Sequence, residues 1–132
     1  MNLEPDQIER LHRGVEHFRT GDYFAAHDDW EEVWQGFRGH RRTFWQAMIQ
    51  LVVGAYHLKN SNRKGCESLW SKALVKCEDL AQTYEADVPE PLSSLTELLH
   101  TCLASLHRGE EPWGHITHFA HSVLSEAYFA FQ

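Results

Sequence analysis

Apolar side chains recur along the chain at the three- and four-residue spacing of amphipathic helices, and no stretch keeps the alternation of a strand. The pattern predicts about six helices, near 5–19, 22–37, 41–59, 63–84, 89–106 and 115–131. Because short loops make consecutive helices antiparallel neighbours, we expect a single all-α domain over residues 1–132. It would be a compact bundle of about six helices, or three stacked hairpins.

A shift of 40 residues lays the first predicted hairpin on the second. Identical residues then coincide at four positions: Leu11 and Leu51, Gly14 and Gly54, His17 and His57, and Trp30 and Trp70. This offset predicts a duplicated helical hairpin, although amphipathic hairpins share part of the pattern in any case. The last two predicted helices, over about 89–131, would form a third and more divergent hairpin.

The second predicted helix carries polar residues on two different faces. His27, Glu31 and Trp34 share one face, at spacing i, i+4 and i+7. Asp28, Asp29 and Glu32 fall on the side opposite the apolar arc, where we expect solvent. A half-buried carboxylate such as Glu31 needs hydrogen-bond partners or a cation.

The third predicted helix is apolar nearly all round, which marks it as the central helix. Its exceptions, Gln46, Gln50 and His57, follow one narrow stripe. Buried polar groups must meet other polar groups, water or a ligand. We therefore expect a polar pocket between the second and third helices, framed by Trp30, Trp34 and Trp45.

Three interpretations of this pocket remain open. It is a satisfied structural network that fixes helix register, a small-molecule or peptide site using Trp30, Trp34, Gln46, Gln50 and His57, or a metal site. His27 and Glu31 can chelate one divalent ion, with His57 as a third ligand, but no cofactor is strongly implied. In an enzyme, Glu31 would be the general base and His27 its proton partner.

A binding or structural role is favoured over catalysis, because the chain has no catalytic Ser/His/Asp motif, phosphate loop or HExxH sequence. His115, His118 and His121 fall on a flank that we expect to be solvated.

Charge narrows the choice of partners. The formal charge is −7 without a long basic run, so nucleic acids and membranes are not expected partners.

No signal peptide is visible, and three widely spaced cysteines are typical of buried thiols in a reducing cytoplasm, where we expect the protein. Five Trp, seven Phe and four Tyr favour an exposed aromatic patch and a homodimer over a monomer.

The stretches GDYFAAHDDWEEVW and FWQAMIQLVVGAYHLKNSNRKGCESLWSKAL resemble the domain of unknown function 309 family. The matching motif is His-x3-Glu-x2-Trp, here His27, Glu31 and Trp34, followed by Gln46, Gln50, Tyr56-His57 and Gly65-Cys66. The resemblance covers about residues 8–80 and leaves a C-terminal hairpin over about 89–131 outside it. Asp28 stands where the family usually has Glu. The resemblance implies an all-helical bundle and no particular reaction.

The segment Gly-Asp-Tyr-x-x-Ala also resembles the second helix of a tetratricopeptide repeat, which would imply a protein-interaction scaffold. However, the 40-residue offset exceeds the usual 34, and the third helix is too hydrophobic for an open solenoid.

Overall fold

In a computed structural model, which describes residues 2–132, the chain folds into six α-helices and two short helical turns. The helices are α1 (Pro5–Arg19), α2 (Tyr23–Trp34), α3 (Gly39–Lys59), α4 (Arg63–Gln82), α5 (Glu90–His107) and α6 (Trp113–His118). A π-helical turn (Phe119–Val123) and a 3-10 turn (Glu126–Tyr128) follow. The described residues contain no strand, which confirms the all-α prediction, and each helix packs on the next. No helix among them combines the length and apolar character needed to cross a bilayer.

One tryptophan anchors each of the first two hairpins. In the α1–α2 hairpin, the indole N–H of Trp30 donates to the carbonyl of Leu11 at 3.1 Å. In the α3–α4 hairpin, the indole N–H of Trp70 donates to the carbonyl of Leu51 at 2.9 Å. Both tryptophans are fully buried. Donors and acceptors are 40 positions apart, so the sequence repeat corresponds to a repeated contact.

The turns within these hairpins are also equivalent. The amide of Asp22 donates to the carbonyl of His17, and the amide of Asn62 donates to that of His57, each at 2.8 Å. Both side chains then cap the next helix, Asp22 at the amide of Ala25 and Asn62 at that of Gly65. The same backbone hydrogen bond occurs in the α5–α6 connection, where the amide of Glu110 donates to the carbonyl of Ser105 at 2.8 Å. The turn thus occurs in all three hairpins, and the indole anchor in two.

The predicted sixth helix is present, but its predicted extent of about 115–131 is wrong, because α6 ends at His118. Tyr128, Phe129 and Phe131 are all buried, and they pack against Phe44 and Trp45 of α3 instead of continuing α6. The chain instead passes through the π turn and becomes extended at Ser125, whose side chain accepts from the amide of Ala127. The second predicted helix also ends earlier than expected, at Trp34.

The C-terminal segment covers the side of α3 that α2 and α4 leave open. The ring of Phe131 stacks on Phe44 with centroids 4.2 Å apart, and Phe129 lies against Trp45. The Nε of Arg41 donates to the carbonyl of Phe131 at 2.9 Å. Helix α3 is therefore apolar nearly all round because it is the central helix, as its pattern predicted.

The close approach of each anchor tryptophan requires glycine on the facing helix. A Cβ at Gly54 would lie 2.3 Å from the Nε1 of Trp70, and one at Gly14 would lie 2.2 Å from that of Trp30.

We expect Gly54→Ala to destabilise the fold by about 2–4 kcal/mol, because overpacking and loss of the indole hydrogen bond outweigh the gain in helix propensity. Urea unfolding measures this. Gly114→Ala is the matched control, because its added Cβ meets nothing within 4 Å; equal stability of the two variants would contradict the argument.

The three cysteines are free thiols in the core. Burial raises the pKa of Cys66, Cys77 and Cys102 to about 12 in each case. A raised pKa keeps the thiol protonated, so at pH 8 the reactive thiolate is about one part in ten thousand. We expect a disulfide reagent to leave the native protein unmodified and to label three thiols after denaturation. Rapid labelling of the native protein at pH 8 would show that the thiols are accessible.

Candidate functional site

His27 and Glu31 lie one turn apart on the same side of α2. The Nε2 of His27 is 2.5 Å from a carboxylate oxygen of Glu31. Their side chains are 23 % and 43 % exposed, so the pair is at the surface rather than in the core. Since both residues belong to α2, their contact cannot by itself fix α2 relative to α3. This geometry does not support a register-fixing role.

The second ring nitrogen of His27 has no hydrogen bond. Its Nδ1 is 3.3 Å from a carboxylate oxygen of Asp28, but without hydrogen-bonding geometry, and the atom is buried. The His27 ring also lies against Phe24, with centroids 5.5 Å apart. Buried polar atoms in folded proteins are normally paired. The unpartnered Nδ1 therefore offers a hydrogen bond that the described part of the chain does not use.

The glutamines of α3 were predicted to face this pair. Phe24 of α2 contacts Tyr56 of α3, and Trp34 donates to the carbonyl of Arg42 at 2.9 Å. Gln46 and Gln50 lie on α3 between Arg42 and Tyr56. The Oε1 of Gln50 is buried and has no hydrogen-bond partner, and Gln46 is half-buried. No hydrogen bond joins either glutamine to His27 or Glu31 in the described chain.

The tryptophans proposed as pocket walls have structural contacts. Trp30 is fully buried, and its indole N–H donates to the carbonyl of Leu11. Its ring is edge-on to that of Trp45, with the ring centroids 5.2 Å apart. Trp34 is half-buried, and the guanidinium of Arg42 lies 3.9 Å from its ring centroid. The motif tryptophan therefore closes the α2–α3 connection, and Trp30 forms part of the core.

His57 lies apart from the other candidate ligands. It is at the end of α3, where its Nδ1 is 3.4 Å from the Nδ2 of Asn62. The structure thus joins His27 with Glu31 and assigns His57 to the following turn. Among residues 2–132, no group of three or more His, Cys, Asp or Glu side chains is arranged to hold a metal ion.

The expectation that Asp29 faces solvent is wrong. It is only 7 % exposed, and its carboxylate lies 2.8 Å from the Nδ1 of His17 and 3.6 Å from the guanidinium of Arg10. This network links α1 to α2. The repeat contained a signal for it, because the 40-residue shift places Asp29 on Leu69, an apolar and half-buried position.

An aromatic pair next to the motif was not predicted as a site. Phe24 is 52 % exposed and Tyr56 is 36 % exposed, and their ring centroids are 5.4 Å apart. Both side chains line an open cavity of about 450 Å³, together with Tyr23 and Lys59. His27, Glu31, Gln46 and Gln50 do not line it. The open space thus lies about one turn from the predicted pocket, toward the start of α2.

Three comparisons place the chain among known proteins. No curated protein and no solved structure matches it. A family model, described as Domain of unknown function (DUF309), matches residues 11–69. The matched stretch includes the His27–Trp34 motif and runs from the middle of α1 into α4. Residues 11–69 of this chain are therefore similar to the DUF309 family, as the motif predicted.

Proposed function

We propose that the protein binds a small organic molecule at the face formed by Phe24, His27, Glu31, Gln50 and Tyr56, here called the α2–α3 face. The observation that carries the proposal is the exposed Phe24–Tyr56 pair beside the His27–Glu31 pair. The ligand would have one aromatic ring and at least one hydrogen-bonding group.

The aromatic half of this face differs from the rest of the described surface. Four large apolar residues are exposed, namely Ile8, Phe24, Tyr56 and Val75. Single exposed apolar side chains are normal, whereas contiguous apolar patches mark binding sites. Phe24 and Tyr56 contact each other, and their cavity of about 450 Å³ is within the usual size range of ligand sites.

The polar half supplies orientation. The carboxylate of Glu31 is 43 % exposed and can accept a hydrogen bond from a ligand, whereas the unpartnered Nδ1 of His27 and Oε1 of Gln50 are buried and become available only if a ligand displaces the side chains that cover them. The His27 ring contacts Phe24, so the polar and aromatic halves are continuous. A few polar groups beside an apolar surface are typical of small-molecule sites.

A catalytic role for the same pair is the second candidate. The 2.5 Å contact between Glu31 and His27 is the arrangement of a carboxylate that orients an imidazole or exchanges a proton with it. Under this alternative, the α2–α3 face binds the substrate and Glu31→Gln abolishes turnover of any compound that binds there. Retention of full turnover by that variant would remove the catalytic alternative and leave binding intact.

Removing the aromatic pair tests the binding proposal. The probes are phenol, benzamide, benzoate and benzylamine, titrated into isotope-labelled protein and followed by NMR. We expect at least one to shift the amide signals of Phe24, His27 and Tyr56 saturably. Phe24→Ala should then weaken its binding about tenfold, because a ring contact is lost.

Val75→Ala is the matched control, because Val75 is equally exposed at 55 % but isolated on α4. It should leave the affinity unchanged. The proposal is wrong if none of the four probes gives saturable shifts at this face, or if Phe24→Ala binds as tightly as the unmodified chain.

Two acids on α2 should behave differently in unfolding experiments. Glu31→Gln should lower the stability by no more than about 0.5 kcal/mol, because it removes one exposed intrahelical pair. Asp29→Asn should lower it by about 1–3 kcal/mol, because it weakens a buried link between α1 and α2. Thermal unfolding measures both effects. A larger loss for Glu31→Gln than for Asp29→Asn would show that the motif acid is structural.

A further inference from the structure

A separate cavity of about 230 Å³ lies between α5 and the α6–π segment. Helix α5 contributes Ser94, Glu97 and Thr101, which share one face at spacing i, i+3 and i+7. The opposite wall carries His115 and His118. This cavity lies outside the DUF309 match, which ends at residue 69, and it shares no lining residue with the α2–α3 face.

The lining of this cavity carries a negative formal charge and no positive one. Glu97 is its only acid, and neither lysine nor arginine lines it. Among residues 2–132, no basic side chain forms an ion pair with Glu97. With histidines counted as neutral, the lining therefore carries one negative charge. The whole chain, at −7, adds a field of the same sign.

Besides the exposed Glu97, the cavity lining includes two hydroxyl groups and two imidazoles, and the other lining residues are apolar. The hydroxyl groups of Ser94 and Thr101 and the imidazoles of His115 and His118 can accept from an N–H donor. Leu98, Phe119 and Val123 supply an apolar surface. The lining thus suits a ligand with a charged end that donates and an aliphatic end.

The backbone next to the cavity is the π-helical turn that ends α6. Phe119 and Val123, the first and last residues of this turn, both line the cavity. Turns of this kind occur at the C-termini of helices. Here the turn follows His118 directly, so it places the two histidines on α6 and the apolar wall beyond it.

From these observations we infer that the α5–α6 cavity binds a small aliphatic ammonium ion. The ammonium group lies against Glu97 and donates to Thr101 and to the imidazoles. The aliphatic chain lies against Leu98, Phe119 and Val123. At about 30 Å³ for each water-sized group, the cavity has room for about eight non-hydrogen atoms. A primary amine with a chain of four to six carbons fits this volume.

The test compares three probes of similar length, namely pentylammonium, 1-pentanol and pentanoate. Each is titrated into isotope-labelled full-length protein and followed by NMR. We expect pentylammonium to shift the amide signals of residues 94–101 and 113–123 saturably. Pentanol should bind more weakly and pentanoate should not bind, because the carboxylate of Glu97 attracts the first and repels the last.

Glu97→Gln should weaken pentylammonium binding about tenfold or more, because it removes a charge-assisted hydrogen bond. Glu78→Gln is the control, because Glu78 is an acid on the neighbouring helix α4 that lies outside the cavity. It should leave the affinity within about twofold. Circular dichroism checks that both variants keep the helical fold.

The inference is wrong if pentylammonium gives no saturable shift, if Glu97→Gln binds it as tightly as the unmodified chain, or if the shifts are confined to other regions. Equal binding of pentanol and pentylammonium would show that the cavity selects the aliphatic chain and not the charge, which also contradicts it. Because the probes for the α2–α3 face are aromatic and shift different residues, failure here leaves that proposal standing.

Discussion

The fold depends on a tryptophan that crosses a hairpin and donates its indole N–H to a backbone carbonyl on the facing helix. This contact occurs twice, from Trp30 to Leu11 and from Trp70 to Leu51. It requires glycine one turn further along the facing helix, at Gly14 and Gly54, because any Cβ there would overlap the indole ring. A buried N–H that already has its acceptor sets both the spacing and the register of the two helices. The polar groups of the candidate site are therefore not needed to set the spacing or the register of these helices.

The sequence predicted this part of the structure because the information is local and repeated. Helical periodicity marks the elements, capping residues mark their starts, and the 40-residue offset places the glycines and tryptophans in equivalent positions. The C-terminal segment could not be predicted in the same way. Tyr128, Phe129 and Phe131 look like the end of an amphipathic helix, but their positions are set by the open side of α3. Tertiary packing overrides local preference there.

The candidate site was predictable only in part, for a related reason. A helical wheel shows how far a residue lies from the apolar arc of its own helix, but not which neighbouring helix it meets. The wheel placed His27 and Glu31 together correctly. It placed Asp29 in solvent, although the neighbouring α1 supplies His17 and Arg10 and so turns that face of α2 into an interface. The exposed contact between Phe24 and Tyr56 depends on how two helices pack, and no single-helix pattern contains it.

Comparing the two similar hairpins separates the residues that build the scaffold from those that do not. The indole anchors, their glycines and the turn contacts are the same in both. At the positions equivalent to Phe24, His27 and Glu31, the second hairpin has Lys64, Glu67 and Ser71. A hairpin of this type therefore forms without the aromatic ring of Phe24, the imidazole of His27 or the carboxylate of Glu31 at the equivalent positions. Because folding does not require them, their presence together on α2 is accounted for by the proposed binding at this face and not by the scaffold.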